Sequence, residues 1–299
     1  MNLTESVMRY ERYLKRKNYS SHTIKNYLNR LKHFLVWLPV PLESVMPVHV
    51  KHYIDVQLAK RLGPQTINAH LVVIRSFYYF LEDEEGIVGE NPASRGMALR
   101  LPEPLPRHLQ DCEIATFFGA VTKQRDLAIF MLMLRCGLRV EEVANLTLGA
   151  IDYNRHQIIV RCGKGAKDRM VFINIDAADA LASYLQIRPP TAEQRVFLAE
   201  KGTFKGKPIS VRGIQKRIEH YSRKSGVSVS CHQLRHTMAT QLLNAGADLA
   251  TIQYILGHRR IKTTMRYARL SNQKARNDYH QAMKVVQEHG TTATWNMRC

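Results

Sequence analysis

The sequence predicts a mainly α-helical protein of two domains, the second of which carries a small antiparallel sheet. Three observations support this fold class. A chain of 299 residues is long enough for about two hydrophobic cores. Helical periodicity with little strand character fills roughly the first ninety residues. Two β-branched runs around a glycine-rich turn lie in the second half, beyond a stretch rich in glycine and proline.

The first domain, residues 1–88, is predicted to contain four helices. "LTESVMRYERYLKRK" is amphipathic, and "SSHTIKNYLNRLKHFLVWL" begins with residues typical of a helix cap. Pro47 opens the third helix, and Gly63 and Pro64 separate it from the fourth. In the second helix apolar side chains recur at helical spacing, at Ile24, Tyr27, Leu28, Leu31, Phe34 and Leu35.

The interdomain linker is predicted at residues 89–108, where the sequence has little periodicity. The second domain, residues 109–299, is predicted to begin with the helices "DCEIATFFGAV", "QRDLAIFMLMLRCG" and "VEEVANL". The runs "HQIIVRC" and "DRMVFI" are then expected to pair through a "GKGAK" turn. The remainder is expected to be helical, with breaks at Gly226, Gly246 and Gly257.

The net charge of +19 and the pI near 9.9 indicate a polyanionic partner, with nucleic acid as the leading candidate. Residues 1–108 hold 15 basic and 10 acidic residues, net +5, and residues 109–299 hold 29 and 15, net +14. A basic surface that only maintains solubility is the alternative. The first residues, "MNLTESVMRYERYLKRK", are polar and mixed in charge and are not expected to act as a signal peptide, and no apolar run approaches the roughly 20 residues that a membrane span needs. Five scattered cysteines fit free thiols in a reducing compartment: Cys112, Cys136, Cys162, Cys231 and Cys299.

Two cationic residues occupy positions from which a side chain can be directed. Arg139 follows a Gly-Leu corner at the start of a helix, and Glu142, three residues on, is placed to brace its guanidinium. Lys164 lies between two glycines at the expected hairpin tip, where it either enters a groove or remains an ordinary turn lysine. The glycine spacing does not match a phosphate-binding P-loop.

The stretch "SCHQLRHTMATQLLNAG" places His232 and Arg235 on one face of a helix. His232 and His236 have the i, i+4 spacing of zinc ligands. The acidic residue of the HExxH motif is missing, however, and no further ligand follows at metal spacing, so we do not predict a zinc site. His236 is expected to be a core histidine.

His258 and Tyr267 complete a set that is ordinary residue by residue but unusual together. Arginine forks match phosphate oxygens and neutralise the charge that develops on a five-coordinate phosphorus. A tyrosine hydroxyl needs neighbouring cations, and a base such as histidine, to become a nucleophile. A lysine can protonate a departing sugar oxygen. The set therefore predicts phosphodiester chemistry at a tyrosine rather than metal-dependent hydrolysis, which needs clustered carboxylates.

In chain order, "GLRVEEVANL", "GKGAKDR", "HQLRHTMAT", "LGH" and "TTMRYARL" closely resemble the tyrosine recombinase family of phage integrases and Xer-like enzymes. The resemblance covers nearly the whole chain. It implies that residues 1–88 form a SAM-like core-binding domain and that residues 109–299 form the mixed α/β catalytic domain with a C-terminal helix. The two domains would then enclose a DNA duplex.

The resemblance also implies a role for each matching residue. Arg139 and Arg235 would hold the scissile phosphate, and Lys164 would protonate the 5′-oxygen. His232 would assist proton transfer from Tyr267, which would attack phosphorus. His258 would bind a phosphate oxygen, and Glu142 would support the site. "VRGIQKRIEHYSRK" is the candidate major-groove helix, with Arg212, Gln215 and Lys216 as DNA contacts or, alternatively, as a solvated basic face.

The expected activity is site-specific DNA recombination through a 3′-phosphotyrosyl intermediate and a Holliday junction, without a metal or cofactor. The expected partners are double-stranded DNA with an inverted-repeat core site and a homo-tetramer on two such sites, with an accessory protein or partner recombinase left open. The C-terminal helix docks either on its own domain or on a neighbouring protomer. The expected location is the cytoplasm, in association with the nucleoid.

Several alternatives remain open from the sequence. A type IB topoisomerase uses the same tyrosine chemistry, and a catalytically silent DNA-binding protein would share the basic surface. The biological task is resolution or integration of a mobile element, or resolution of chromosome dimers.

Overall fold

A computed structural model describes residues 3–86, 90–102, 107–161 and 168–257, together with short pieces at 264–265, 279–281 and 283–284. The chain divides into two units, Met1–Glu103 and Pro104–Cys299. Helices dominate both, and a three-stranded antiparallel sheet lies in the second. The predicted fold class is therefore confirmed.

In its described residues the first unit contains four α-helices, as the sequence predicted, and two short 3₁₀ helices, Leu42–Ser44 and Arg95–Met97. The α-helices are α1 (Leu3–Arg16), α2 (Ser21–Trp37), α3 (Pro47–Ala59) and α4 (Pro64–Asp83). Ser20 caps α2 by accepting a hydrogen bond from the backbone N–H of Thr23 at 3.1 Å. All six predicted apolar positions of α2 are buried in the core or packed against it. Aromatic rings fill much of this core, with Tyr10 and Phe77 in edge-to-face contact at 5.1 Å.

Part of the predicted linker is bound to α4 instead of extending freely. The guanidinium of Arg75 donates to the carbonyl of Ala93 at 2.7 Å, and Asn68 exchanges two hydrogen bonds of 2.8 Å with the backbone of Leu99. Ala93 is buried in the core of the first unit. Residues 91–99 thus continue the first unit, while the domain boundaries at 88 and 108 remain a prediction from the sequence.

The second unit contains seven helices and three strands within its described residues. They are α5 (Asp111–Gly119), α6 (Gln124–Arg135), α7 (Val140–Ala144), β1 (Ile151–Asp152), β2 (Gln157–Val160), β3 (Arg169–Phe172), α8 (Ile175–Ile187), α9 (Val211–Ser225), α10 (Cys231–Asn244) and α11 (Leu249–Leu256). The predicted strand pairing is confirmed, because β2 and β3 are antiparallel neighbours with Ile158 opposite Val171. The "GKGAK" turn lies outside the described residues. The short strand β1 and the helix α8 were not predicted.

Helix α6 is the centre of the second unit. Eight of its twelve residues are buried, and it packs against α8 and α10. The chain turns sharply between α6 and α7, and this corner lies beside Leu256 at the end of α11. Among the described residues, no helix is long and apolar enough to cross a lipid bilayer.

Candidate active site

The corner between α6 and α7 requires a glycine and directs Arg139. Gly137 has a φ of +65°, and a Cβ at this position would lie 3.2 Å from the side chains of both Met238 and Leu256. Only glycine meets both conditions without strain. Leu138 is buried, and Arg139 follows as the N-cap of α7 with its side chain 36% exposed. The corner therefore presents one accessible guanidinium at a fixed place.

Glu142 accepts four hydrogen bonds from two arginines. Its Oε1 accepts from Nη1 of Arg139 and Nη1 of Arg169, each at 2.8 Å. Its Oε2 accepts from Nη2 of Arg169 and from the backbone N–H of Arg139, also at 2.8 Å. The contact predicted from the i, i+3 spacing of Arg139 and Glu142 is thus present.

These contacts determine the charge state of Glu142. Burial by itself would raise the pKa of its carboxyl group. The hydrogen bonds and charge of Arg169, and then the backbone N–H and charge of Arg139, outweigh burial and lower the pKa to about 2. Glu142 is therefore ionised at neutral pH.

Arg169 was not singled out by the sequence analysis. It lies at the start of β3, where residues alternate between buried and exposed, and it faces the buried side together with Val171. Its Nε donates to the carbonyl of Ile255 at 2.9 Å, and its two Nη atoms bind Glu142. A charged residue on the apolar face of a strand is the sequence feature that could have identified it.

The last turn of α11 binds three arginines, which we call the arginine cluster: Arg139, Arg169 and Arg235. Arg169 donates to the carbonyl of Ile255, Arg235 to that of Leu256, and Arg139 to that of Gly257 at 3.1 Å. The final carbonyls of a helix have no partners within it and carry partial negative charge, so they attract cations. Three sequence-distant guanidiniums thereby come together.

Arg235 and His232 both lie on α10, one turn apart. Arg235 is 5% exposed, and its Nη1 donates to the carbonyl of Gly137, which connects it to the corner before Arg139. His232 is exposed, and the centre of its ring lies 6.4 Å from that of His236. No group of His, Cys, Asp or Glu side chains suited to a metal ion occurs within the described part of the chain.

The other three predicted catalytic residues, Lys164, His258 and Tyr267, lie outside the described residues. In the sequence, Lys164 belongs to the segment between β2 and β3, and His258 directly follows Gly257.

The candidate DNA contacts are all on α9, whose two faces have different partners. Arg212 and Lys216 are exposed and Gln215 is half-buried. Arg212 forms an ion pair with Glu219 at 2.8 Å on the same helix. On the inner face, Arg217 donates to the fully buried Asp126 of α6 at 2.7 Å, and this bond fixes α9 to the core.

The arginine cluster is suited to an anion. Its three positive charges are opposed by the single charge of Glu142, which leaves a surplus of two among these four side chains. Guanidinium groups match the oxygens of a phosphate geometrically and remain charged at any physiological pH. Because Arg139 is the exposed member, an anion can reach the cluster from its side.

Comparisons with known proteins agree with this chemistry. Residues 107–274 match the family model "Phage integrase family", and residues 7–85 match "Phage integrase, N-terminal SAM-like domain". Tyrosine recombinase XerC of Thermodesulfovibrio yellowstonii is 35% identical over 262 residues, covering 84% of this chain and 86% of the relative. Tyrosine recombinase XerA of Thermococcus kodakarensis is 31% identical over 284 residues, covering 94% and 96%.

Two solved structures are similar in fold. The crystal structure of XerA recombinase has a TM-score of 0.54 at 28% identity and covers 93% of this chain and 98% of that chain. The Tn1549 transposon integrase in complex with a circular intermediate DNA has a TM-score of 0.75 at 20% identity and covers 93% and 99%. At 20% identity the second likeness concerns the fold alone.

Proposed function

The chain belongs to the phage integrase family of tyrosine recombinases, and on that premise we propose how its residues cleave and rejoin DNA. The protein is a site-specific DNA recombinase, and its chemistry is DNA strand transfer. The type IB topoisomerase alternative has no support among the relatives described above. We propose that six residues form the strand-transfer site: Arg139, Lys164, His232, Arg235, His258 and Tyr267.

One observation carries the proposal for the phosphate-binding half of this site. Arg139 and Arg235 donate to the adjacent carbonyls of Gly257 and Leu256, although 96 positions separate the two arginines in the sequence. Arg235 also donates to Gly137, two residues before Arg139. Two guanidiniums held this close together neutralise the negative charge on a phosphate that gains a fifth ligand.

The proposed cleavage step forms one bond and breaks one. The hydroxyl oxygen of Tyr267 attacks phosphorus, and its proton passes to His232. The bond from phosphorus to the 5′-oxygen breaks, and Lys164 supplies a proton to the departing oxygen. His258 donates to a phosphate oxygen. The product is a 3′-phosphotyrosyl bond and a free 5′-hydroxyl.

Rejoining reverses the same step with a different strand. The phosphotyrosyl bond keeps the free energy of the phosphodiester, so a 5′-hydroxyl from a second duplex reseals the backbone without a nucleotide cofactor. Two successive exchanges through a Holliday junction need four active sites. We therefore propose a homo-tetramer on two inverted-repeat DNA sites, acting in the cytoplasm on the nucleoid.

Both parts of the chain are proposed to bind the duplex, because both are basic. Residues 1–88 form the core-binding domain in this proposal, residues 89–108 the linker, and residues 109–299 the catalytic domain. Arg212, Gln215 and Lys216 on the outer face of α9 are proposed to contact bases or phosphates in the major groove. The larger surplus of positive charge beyond residue 108 supports a dominant role for the catalytic domain.

The nucleophile is tested with a nicked duplex that carries the cognate site. That site can be sought in the DNA that flanks the gene, as two inverted repeats of about 11 base pairs around a short spacer. The length of each repeat reflects the geometry of the DNA helix. The nick lets the short 5′-hydroxyl fragment diffuse away, so the covalent protein–DNA adduct accumulates. We expect wild-type protein to form this adduct and Tyr267→Phe to form none while binding the duplex normally.

A second tyrosine provides the matched control. Tyr254 lies on α11 and is 51% exposed, and Tyr254→Phe removes one hydroxyl in the same way. It should form the adduct at the wild-type rate. An adduct formed by Tyr267→Phe, or its loss in Tyr254→Phe, contradicts the assignment. A protein that binds the site but yields no adduct is the catalytically silent alternative.

A further inference from the structure

We propose that Arg169 is a positioning residue for DNA cleavage, which holds Glu142 and thereby fixes the guanidinium of Arg139 on the scissile phosphate. This inference rests on the proposed function, because it takes Arg139 as a phosphate ligand. Arg169 is not among the six residues proposed for the chemistry.

The first argument is that Arg139 and Arg169 share one acceptor atom. Oε1 of Glu142 accepts from Nη1 of both arginines, each at 2.8 Å. Arg169 also binds Oε2, so its two parallel N–H groups hold the carboxylate in one orientation. If the carboxylate rotates, the hydrogen bond to Arg139 changes length and direction. The position of the exposed arginine thus depends on the buried one.

The second argument comes from the depth of the two side chains. The side chain of Arg169 is 4% exposed, whereas that of Arg139 is 36% exposed. Charge-assisted hydrogen bonds are stronger where water is excluded. Arg169 is held at both ends of its guanidinium, by Glu142 and by the carbonyl of Ile255. It is therefore the rigid member of the pair, and Arg139 is the member open to DNA.

The third argument concerns the other anchor of Arg139, the carbonyl of Gly257. Arg169 fills the space that a Cβ on Gly257 would need, since such an atom would lie 2.9 Å from its Cδ and 3.0 Å from its Nε. Arg169 therefore adjoins both Glu142 and Gly257, the two groups that hold the Arg139 guanidinium. A substitution of Arg169 therefore alters the surroundings of both Glu142 and Gly257.

The substitution Arg169→Lys tests this role because it retains the charge and removes the fork. An ammonium group cannot bind both carboxylate oxygens in parallel and reach Ile255 as well. We expect the single-turnover rate of adduct formation on saturating nicked duplex to fall by about 10²-fold, the cost of misplacing a reacting group by about 1 Å. The dissociation constant for the same duplex should stay close to the wild-type value.

Arg125→Lys is the matched control for a purely structural effect. Counted over the whole residue, Arg125 and Arg169 are each 5% exposed. Arg125 likewise binds a carboxylate, that of Asp126, and a backbone carbonyl, that of Leu198. We expect Arg125→Lys to lower the midpoint of unfolding while its folded fraction cleaves at the wild-type rate. Equal slowing in both variants overturns the inference.

A modified substrate separates phosphate positioning from other effects. A methylphosphonate at the scissile position replaces one non-bridging oxygen with a methyl group and removes the negative charge. The rate of cleavage should therefore depend less on the guanidinium of Arg139. The rate deficit of Arg169→Lys should narrow on this substrate. A deficit of the same size on both substrates counts against positioning of Arg139.

A measurement without DNA judges the geometry independently. In nitrogen-15 spectra of arginine side chains, an anchored Arg139 should give separate signals for its two Nη atoms in the wild-type protein. In Arg169→Lys these two signals should merge, because the Arg139 guanidinium then rotates freely. Unchanged Arg139 signals overturn the inference. Wild-type protein that forms no adduct overturns the proposed function itself, whereas equal cleavage rates for wild type and Arg169→Lys overturn only the role of Arg169.

Discussion

The carboxylate of Glu142 accepts four hydrogen bonds, two on each oxygen, and its pKa is about 2. An ionised carboxylate offers about four lone-pair sites, so Glu142 has no site left with which to take a proton from an attacking hydroxyl. Its function at the residue scale is to hold cations. In the proposed step the proton acceptor is therefore His232 and not this carboxylate.

The pKa of Glu142 predicts how stability depends on pH. The pKa of Glu142 in the folded state lies below the ordinary value of 4.5. The contribution of the ionised carboxylate to the free energy of unfolding is therefore fully present above pH 4.5 and is lost as the pH falls towards 2. A shift of this size corresponds to about 3 kcal/mol at neutral pH. Glu142→Gln should therefore lower the free energy of unfolding by about that amount at pH 7 and by less than half of it at pH 3.

Urea unfolding of both proteins at the two pH values provides the measurement. Glu219→Gln is the control, since Glu219 and its partner Arg212 are 50% and 62% exposed and such pairs contribute little. A stability difference between Glu142→Gln and wild type that does not change with pH would show that the carboxylate is not held as described.

Of the contacts that Glu142 makes, the sequence could predict the one to Arg139 but not the one to Arg169. The pairing of Arg139 with Glu142 follows from spacing within one helical turn, so it could be predicted. Arg169 could not be found that way, because its partners lie 27 residues before it and 86 residues after it. Only the folded sheet brings them together.

Helix ends are the elements that organise the site. Gly257 and Gly226 both end a helix with a positive φ, of 60° and 71°. They differ in surroundings: a Cβ on Gly257 would lie 2.9 Å from Arg169, whereas a Cβ on Gly226 would meet nothing within 4 Å. The same substitution at both positions therefore separates backbone strain from the contact with Arg169.

We expect Gly226→Ala to cost about 1 kcal/mol of stability, the strain of a left-handed alanine. Gly257→Ala should cost more and should also slow adduct formation, because Arg169 must move. Thermal unfolding and single-turnover cleavage measure the two effects. Similar stability losses and unchanged cleavage in both variants would show that Arg169 does not need the space beside Gly257.

Helix α9 is fixed to the core on one face and basic on the other. The bond from Arg217 to Asp126 fixes its inner face, and this leaves Arg212 and Lys216 outward. If these two residues contact phosphates, each alanine substitution should weaken binding and reduce the slope of log K against log salt by about 1.

Fluorescence anisotropy with a labelled duplex at several salt concentrations measures that slope. Glu219→Gln should not weaken binding, because it removes a carboxylate that competes with phosphate for Arg212. Slopes that match the wild type in both alanine variants would favour the solvated basic face over a DNA contact.

The sequence predicted those helices and strands that local residue patterns determine. The apolar stripe of α2 and the antiparallel pairing of β2 with β3 follow from periodicity and turn chemistry, and both are present. Strand β1 has only two residues, too few to show an alternation. The binding of residues 91–99 to α4 depends on hydrogen bonds from Asn68 and Arg75, which no local pattern reveals.

At the scale of the whole molecule, charge and helical content could be predicted, but the assembly of the site could not. The surplus of positive charge is a sum over the sequence and needs no structure. The arginine cluster instead joins a helix start, a strand and a helix interior on the last turn of α11. Such convergence is a property of tertiary structure.

The place of α11 in the chain has a consequence for protein synthesis. The carbonyls that bind the arginine cluster belong to residues 255–257, whereas Arg139, Arg169 and Arg235 are all made earlier. A nascent or truncated chain that ends before residue 255 has the cations without these anchors. We expect such a chain to be attracted to DNA by its positive charge but to lack the assembled phosphate site. We therefore expect that an incomplete copy, which also lacks the proposed nucleophile Tyr267, does not break the DNA to which its charge attracts it.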